Sequence, residues 1–136
     1  MNMNPIKQIY KFNEQAGLLN QGYSDQRECA FPIEEAVEQS KMNSPKQFSR
    51  DAVKGIFTEP VSDVDRLDKH LDIIVYSLGS IFKLGLSPQE AMKALSIVAE
   101  KNMEKLNAGQ DEAGKQKKPV GFVGPEKELQ KILDSL

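Results

Sequence analysis

Asp65, Asp68 and Asp72 fall at spacings of three and four within the stretch VDRLDKHLDIIVYSLG, Val64 to Gly79. On a helix these three carboxylates share one face. Val64, Leu67, Leu71, Ile74, Val75 and Leu78 form a neighbouring apolar stripe at helical period. The acids therefore sit beside a stripe expected to be buried, where like charges repel one another more strongly than in water. A divalent cation shared with a second acidic helix would answer that repulsion.

The second helix is supplied by FPIEEAVEQSKM, which carries Glu34, Glu35 and Glu38. Glu35 and Glu38 are three apart and can point at one ion. Magnesium takes hard oxygen ligands at about 2.0–2.1 Å in an octahedron and shares its shell with water and phosphate. Two carboxylates from each of two antiparallel helices suit that demand. The plain alternative is a solvated acidic face, the usual meaning of a Glu pair on a helix. Asp65 and Asp68 fall in the first turns of their helix, where acids complement the macrodipole. Asp72 is the more pointed choice, because it lies mid-helix, directly before Ile-Ile-Val-Tyr, where aspartate is a poor helix former.

Asn102 and Lys105 form a third group. Asn102 falls on the stripe of Ala91, Leu95 and Val98, where an apolar residue is expected, and a buried amide needs partners. It would hold a ligand hydroxyl or a metal-bound carboxylate, or simply bond a neighbouring loop. Lys105, one turn on, could reach a phosphate; Lys101 is a weaker choice. His70 falls on the polar side of its helix, as a surface residue would. Cys29 is the single cysteine, so it fits a small apolar residue in a reducing compartment better than a nucleophile or a disulfide partner.

These groups need helices to carry them. Pro5 suits a first helical position and opens a helix over Pro5–Gln15 that ends near Gly17. Leu18 to Ser24 is a loop. The second helix carries Phe31 to Met42, or begins near Ser24 and meets Pro32 inside. Ser44-Pro45 resembles a helix start, from which Phe48, Val53, Ile56 and Phe57 would dock, and Glu59-Pro60 ends that segment. The third long helix runs from about Asp63 to Leu84 and stops at Gly85. It is apolar on most faces between Ile73 and Phe82, so it is expected to be central or covered by a second subunit. Ser87-Pro88-Gln89-Glu90 is a capping box with proline at the first helical position, and Ala91, Leu95, Val98 and Leu106 continue an inward stripe. Residues 107–123 read as a polar loop. Gly124-Pro125 then starts a short helix with Leu129, Ile132 and Leu133 inside.

No segment alternates with period two, so the fold class is all-α: a single domain over residues 1–136, built as a bundle of about four to five helices. The 136 residues suffice for an ordinary core. A net charge of −2 argues against non-specific nucleic-acid binding. No apolar run is long enough to span a bilayer, and MNMNPIKQIYKF lacks a signal peptide's apolar segment. A soluble, cytoplasmic protein is expected.

Taken together, the residues from Phe31 to Pro125 resemble the MazG and phosphoribosyl-ATP pyrophosphohydrolase superfamily of all-α nucleotide pyrophosphohydrolases. Glu35-Ala-Val-Glu38 is similar to the family's ExxE motif, with Glu34 ahead of it as in many members. Asp72-Ile-Ile-Val-Tyr is similar to its second motif, and Leu84-Gly-Leu-Ser87 to a family turn. Asn102-Met-Glu-Lys-Leu106 resembles NMxKL, and Lys118-Pro-Val-Gly-Phe122 a KPxGF-like tail. The chain departs from the pattern at Lys69, where many members have an acid. Asp68 matches a variant spacing instead, and the insert from Asn43 to Pro60 is long.

The resemblance implies hydrolysis of (deoxy)nucleoside triphosphates to the monophosphate and pyrophosphate, in nucleotide house-cleaning. It implies Mg2+, or Mn2+, on Glu35, Glu38, Asp68 and Asp72, with Glu34 or Asp65 as possible additions and Glu35 or Glu38 as base. Asn102, Lys105 and Lys118 would contact substrate, the tail KKPVGFVGP being a lid or an ordinary connector. A homodimer or homotetramer would complete the core, with no nucleic-acid or membrane partner. Other readings of the same residues are an inactive nucleotide-binding relative, a helical interaction protein, and a phosphoribosyl-ATP hydrolase.

Overall fold

The computed structural model describes residues 4–136, and Met1–Met3 at the head of the MNMNPIKQIYKF segment lie outside the described residues. Six α-helices and no strand occur among them: α1 (Pro5–Gln15), α2 (Asp25–Glu38), α3 (Pro45–Val53), α4 (Asp63–Lys83), α5 (Pro88–Met103) and α6 (Glu126–Asp134). Short 3-10 turns cover Leu18–Asn20 and Leu106–Ala108. The all-α class expected from the sequence is what forms. No single helix among the described residues is long and apolar enough to cross a membrane.

The chain divides into two compact units: Gly22–Lys69, and the stretch up to Gln21 together with His70–Leu136. Helix α4 begins in the first of these and continues unbroken into the second.

The Gly22–Lys69 unit is built on α2 and α3, which pack against each other. Ser24 accepts a hydrogen bond from the Arg27 N–H at 3.3 Å, and Asp25 and Glu28 lie in the first turn. That cap and the dipole-matched acids start α2 at Asp25, and Pro32 is carried inside the helix instead of opening it. The helix stops at Glu38, short of Met42. Ser44 adopts a left-handed φ of 54° and gives α3 no side-chain cap, so Pro45 alone sets its start. Val53 and Ser49 are buried in this unit, and the Ser49 hydroxyl donates to the Lys46 carbonyl at 2.8 Å. Phe48 and Ile56, expected to dock, are exposed.

In the other unit α1 packs on α5, and α5 on α6. Asn4 caps α1 by accepting from the Lys7 N–H at 2.9 Å. The capping box of α5 forms as its residues dictate: the Ser87 N–H donates to Glu90 Oε1 at 2.8 Å and the Glu90 N–H to Ser87 Oγ at 3.2 Å. The bond from the Ser87 N–H, with the Ser87 hydroxyl second, holds the Glu90 carboxyl below its usual range. Ala91 and Ala99 are buried, their small side chains allowing close approach, while Leu95 is exposed. Helix α5 ends at Met103, so Leu106 lies in the following turn. On α6, Ile132 is buried and Leu133 is exposed, contrary to the expected apolar triad.

Of the two expectations for α4, a central helix or one covered by a second subunit, the first does not hold: the helix has no buried residue. Val64, Leu67, Leu71, Ile74, Val75 and Leu78 are 71, 61, 49, 53, 65 and 37% exposed. The stripe expected to be interior is thus exposed along its length.

Candidate metal centre

The last two turns of α2 bring Glu34, Glu35 and Glu38 together. One carboxylate oxygen from each lies within 4.8 Å of the other two. Helical spacing explains this: residues three and four apart share a face, so Glu38 meets both of its predecessors. Glu34 is buried, at 7% exposure, whereas Glu35 and Glu38 are exposed. The cluster thus has one carboxylate anchored in protein and two presented to solvent.

The donors are hard oxygens, the class that magnesium, manganese and calcium prefer. Opposed oxygens around a magnesium ion stand about 4.1 Å apart, twice the bond length, and about 4.6–5.2 Å around calcium. The 4.8 Å bound on the three oxygens reaches past the magnesium value, so the two exposed carboxylates would have to draw in for all three to share one magnesium ion. The sequence reading left Glu34 as an optional member; the structure makes it the cluster's buried corner.

The aspartates of α4 behave differently. Asp65 and Asp68 belong to the same unit as the glutamates but are not members of their cluster. Asp68 is exposed and pairs with Lys69 Nζ at 3.1 Å. Asp65 is exposed in the first turn, its N–H donating to Ser62 Oγ at 3.2 Å. Asp72 is exposed and belongs to the other unit.

Lys69 answers one acid of the aspartate strip, while Arg66 of the same helix answers two acids outside it. Arg66 makes a two-pronged contact with Asp25, both bonds at 3.0 Å, and a third bond to Asp63 at 2.9 Å. Its guanidinium also lies over the Tyr23 ring, 4.5 Å from the centroid. Donating to the Asp25 carboxylate holds the arginine above its already high range. Burial pushes the Tyr23 hydroxyl up, with Asp25 and Glu28 adding to the shift and Arg66 opposing it. This junction ties the start of α4 to the start of α2, and reading acids alone overlooked it. The signal was present in the Asp63-x-x-Arg66 spacing.

Asn102, Lys105 and Lys118 all belong to the other unit, and their surroundings explain the loop-like segment 107–123. Asp111 organises a tight turn by accepting from the N–H groups of Ala113 at 2.9 Å and Lys115 at 3.0 Å. Gln21 Nε2 donates to the Gly114 carbonyl at 2.8 Å and Gln110 Nε2 to the Ala16 carbonyl at 2.7 Å, pinning the turn to the end of α1. Gln116 Nε2 donates to the Lys105 carbonyl at 2.6 Å. The Lys105 ammonium lies 5.3 Å from the centroid of the Phe122 ring, so this lysine also fastens the tail. Asn102 is half-buried, Lys118 exposed. His70 is half-buried as well, not fully on the surface.

Cys29 is half-buried, and burial pushes its thiol up, the opposite of what a nucleophilic cysteine needs. No family model matches the chain, and no curated protein or solved structure matches it either.

Proposed function

We propose that this protein is a magnesium-dependent nucleoside triphosphate pyrophosphohydrolase, its fold a variant of the all-α pyrophosphatase bundle completed by self-association. The observation that carries the reading is the convergence of Glu34, Glu35 and Glu38 within 4.8 Å on α2. In this reading Glu35 and Glu38 hold the cation with Glu34 behind them, and Asp68 and Asp72, one turn apart on α4, complete the acidic set.

A divalent ion held there would neutralise phosphate charge and make a bound water more acidic. Glu35 or Glu38 accepts a proton from the attacking water. The water oxygen bonds to the α-phosphorus as the bridge to the β-phosphate breaks, and pyrophosphate leaves with the electron pair. Lys118, exposed on its turn, meets phosphate charge; Asn102 and Lys105 contact the nucleotide. The direct test incubates the protein with a panel of ribo- and deoxyribonucleoside triphosphates and magnesium and measures pyrophosphate release. Release that Glu38→Gln abolishes supports the assignment; silence across the panel removes it.

A second reading is favoured by the bare apolar length of α4: a helical interaction protein with no turnover. It predicts no magnesium-dependent change in melting and no effect of Glu35→Gln on any nucleotide assay.

A further inference from the structure

Six apolar residues of α4 follow one line, five of them exposed and Ile81 half-buried. Val64, Leu67, Leu71, Ile74, Leu78 and Ile81 alternate at spacings of three and four through the whole helix. That is the a/d spacing of a coiled-coil seam, kept over about two and a half heptads. Val75 and Phe82, at 65 and 43% exposure, widen it on one flank toward the C-terminal end. A seam with this repeat meets a facing helix of matching period, and no α4 residue is buried within the chain.

We propose that α4 pairs with α4 of a second copy, antiparallel, about a two-fold axis beside Asp72 and Ile73. In that register every seam residue meets another: Val64 faces Ile81 of the partner copy, Leu67 faces Leu78, and Leu71 faces Ile74. The match is a property of the spacing itself, because each pair of numbers has the same midpoint. Antiparallel pairing places an a-position side chain opposite a d-position one throughout.

Charge selects the antiparallel arrangement over the parallel one. The first half of α4 carries Asp63, Asp65, Asp68 and Asp72 against Arg66 and Lys69; the second half, from Ile73 to Lys83, carries no acid and one lysine. Parallel pairing would lay two acid-rich halves side by side. The antiparallel pair lays each acid-rich half against the acid-free half of its partner, and the opposed helix dipoles favour the same choice. Asp65 and Asp72 occupy the outward b positions, so the pairing buries neither.

The size is adequate. At about 1.5 Å per residue α4 is about 31 Å long. A seam of that length, widened by Val75 and Phe82, approaches the ~800 Å² per partner of a stable interface. The pairing specifies how the self-association in the hydrolase reading would form, but it draws on α4 alone. Loss of hydrolysis with the pair intact would end the activity and leave the pairing standing.

Two measurements test it on the full chain. Light scattering after gel filtration should give a mass of two chains, or an even multiple, that Leu71→Lys with Leu78→Lys reduces to one while helical circular dichroism persists. A single-chain mass for the unaltered protein at tens of micromolar would overturn the proposal. The second measurement needs no disruptive variant: a spin label at Ser80→Cys, with Cys29→Ser removing the native thiol. Ser80 is exposed on α4 and outside the seam. Antiparallel pairing puts the two labels about 25 Å apart, from an axial offset of about fifteen residues and an interaxial distance of about 8–10 Å. A separation near 10–15 Å would show parallel pairing, and the absence of any distance would show that another surface, or a different protein, covers α4; either result overturns the proposal.

Discussion

Helices α2 and α4 both carry clustered acids and an apolar face, yet the two have opposite fates. On α2 the apolar side is covered by α3, Ala30 is buried, and three glutamates converge with one of them also buried. On α4 no residue is buried, and Asp63 and Asp68 are each met by a cation from their own helix. The difference shows that neither hydrophobicity nor acid spacing decides the role of a helix. Helix α2 is held by a neighbour close in sequence, and its carboxylates cluster by their spacing along the helix. Helix α4 has the stronger apolar pattern, yet none of its residues is buried.

Four changes would break or sharpen this contrast. The largest effect is expected from the carboxylates: Glu38→Gln on α2 should lower pyrophosphate release at least about 100-fold, the scale of a general base. Asp65→Asn on α4 should change it less than twofold in the same assay. Next, Ala30→Leu should destabilise folding by about 1–3 kcal/mol, because a covered site cannot accept added volume. Tyr76→Gln, on α4 and 79% exposed, should leave denaturant unfolding within about 0.5 kcal/mol.

A smaller effect is expected from the ion. Adding magnesium should raise the melting temperature and a chelator should reverse it, with both responses absent in a Glu34→Gln, Glu35→Gln double variant. If the double variant keeps the response, the cation is held elsewhere.

The smallest effect is at the Arg66 junction and is read by pH. Arg66→Gln removes the one group that opposes the rise of the Tyr23 hydroxyl, so ultraviolet titration should find that tyrosine ionising at still higher pH. Because the folded state holds this proton more tightly than the unfolded chain does, Tyr23 contributes stability in full below its ordinary value. That contribution fades as pH rises through the raised one. A downward shift in the variant would mean that Arg66 does not face the ring in solution.

Much of the helical framework was legible because its signals are local. Asn4-Pro5, and Ser87 with Glu90, announce helix starts through side chains that satisfy their own backbone, and both starts form where expected. The start of α2 was ambiguous for an equally local reason. Pro32 and Ser24 compete as openers, and the cap at Ser24 prevails. Burial was less legible. Leu95 and Leu133 fit inward stripes but are exposed, while Ala99, which draws little notice in the sequence, is the most buried apolar residue described, at 1% exposure. Close helix packing selects small side chains, and an alanine carries no sign of how near its neighbour lies.

The same division runs through the candidate site. Spacing along one helix determined that Glu34, Glu35 and Glu38 would share a face, since backbone geometry leaves them no other arrangement. Spacing also determined that α4 would carry an unbroken heptad seam. Only the tertiary structure decided that Glu34 is the buried corner, that Arg66 binds Asp25 across 41 positions of chain, and that the α4 stripe lies bare. Local order follows from dihedral angles and hydrogen bonds between near neighbours, whereas burial depends on which surfaces meet, and that is set by contacts that no single segment encodes.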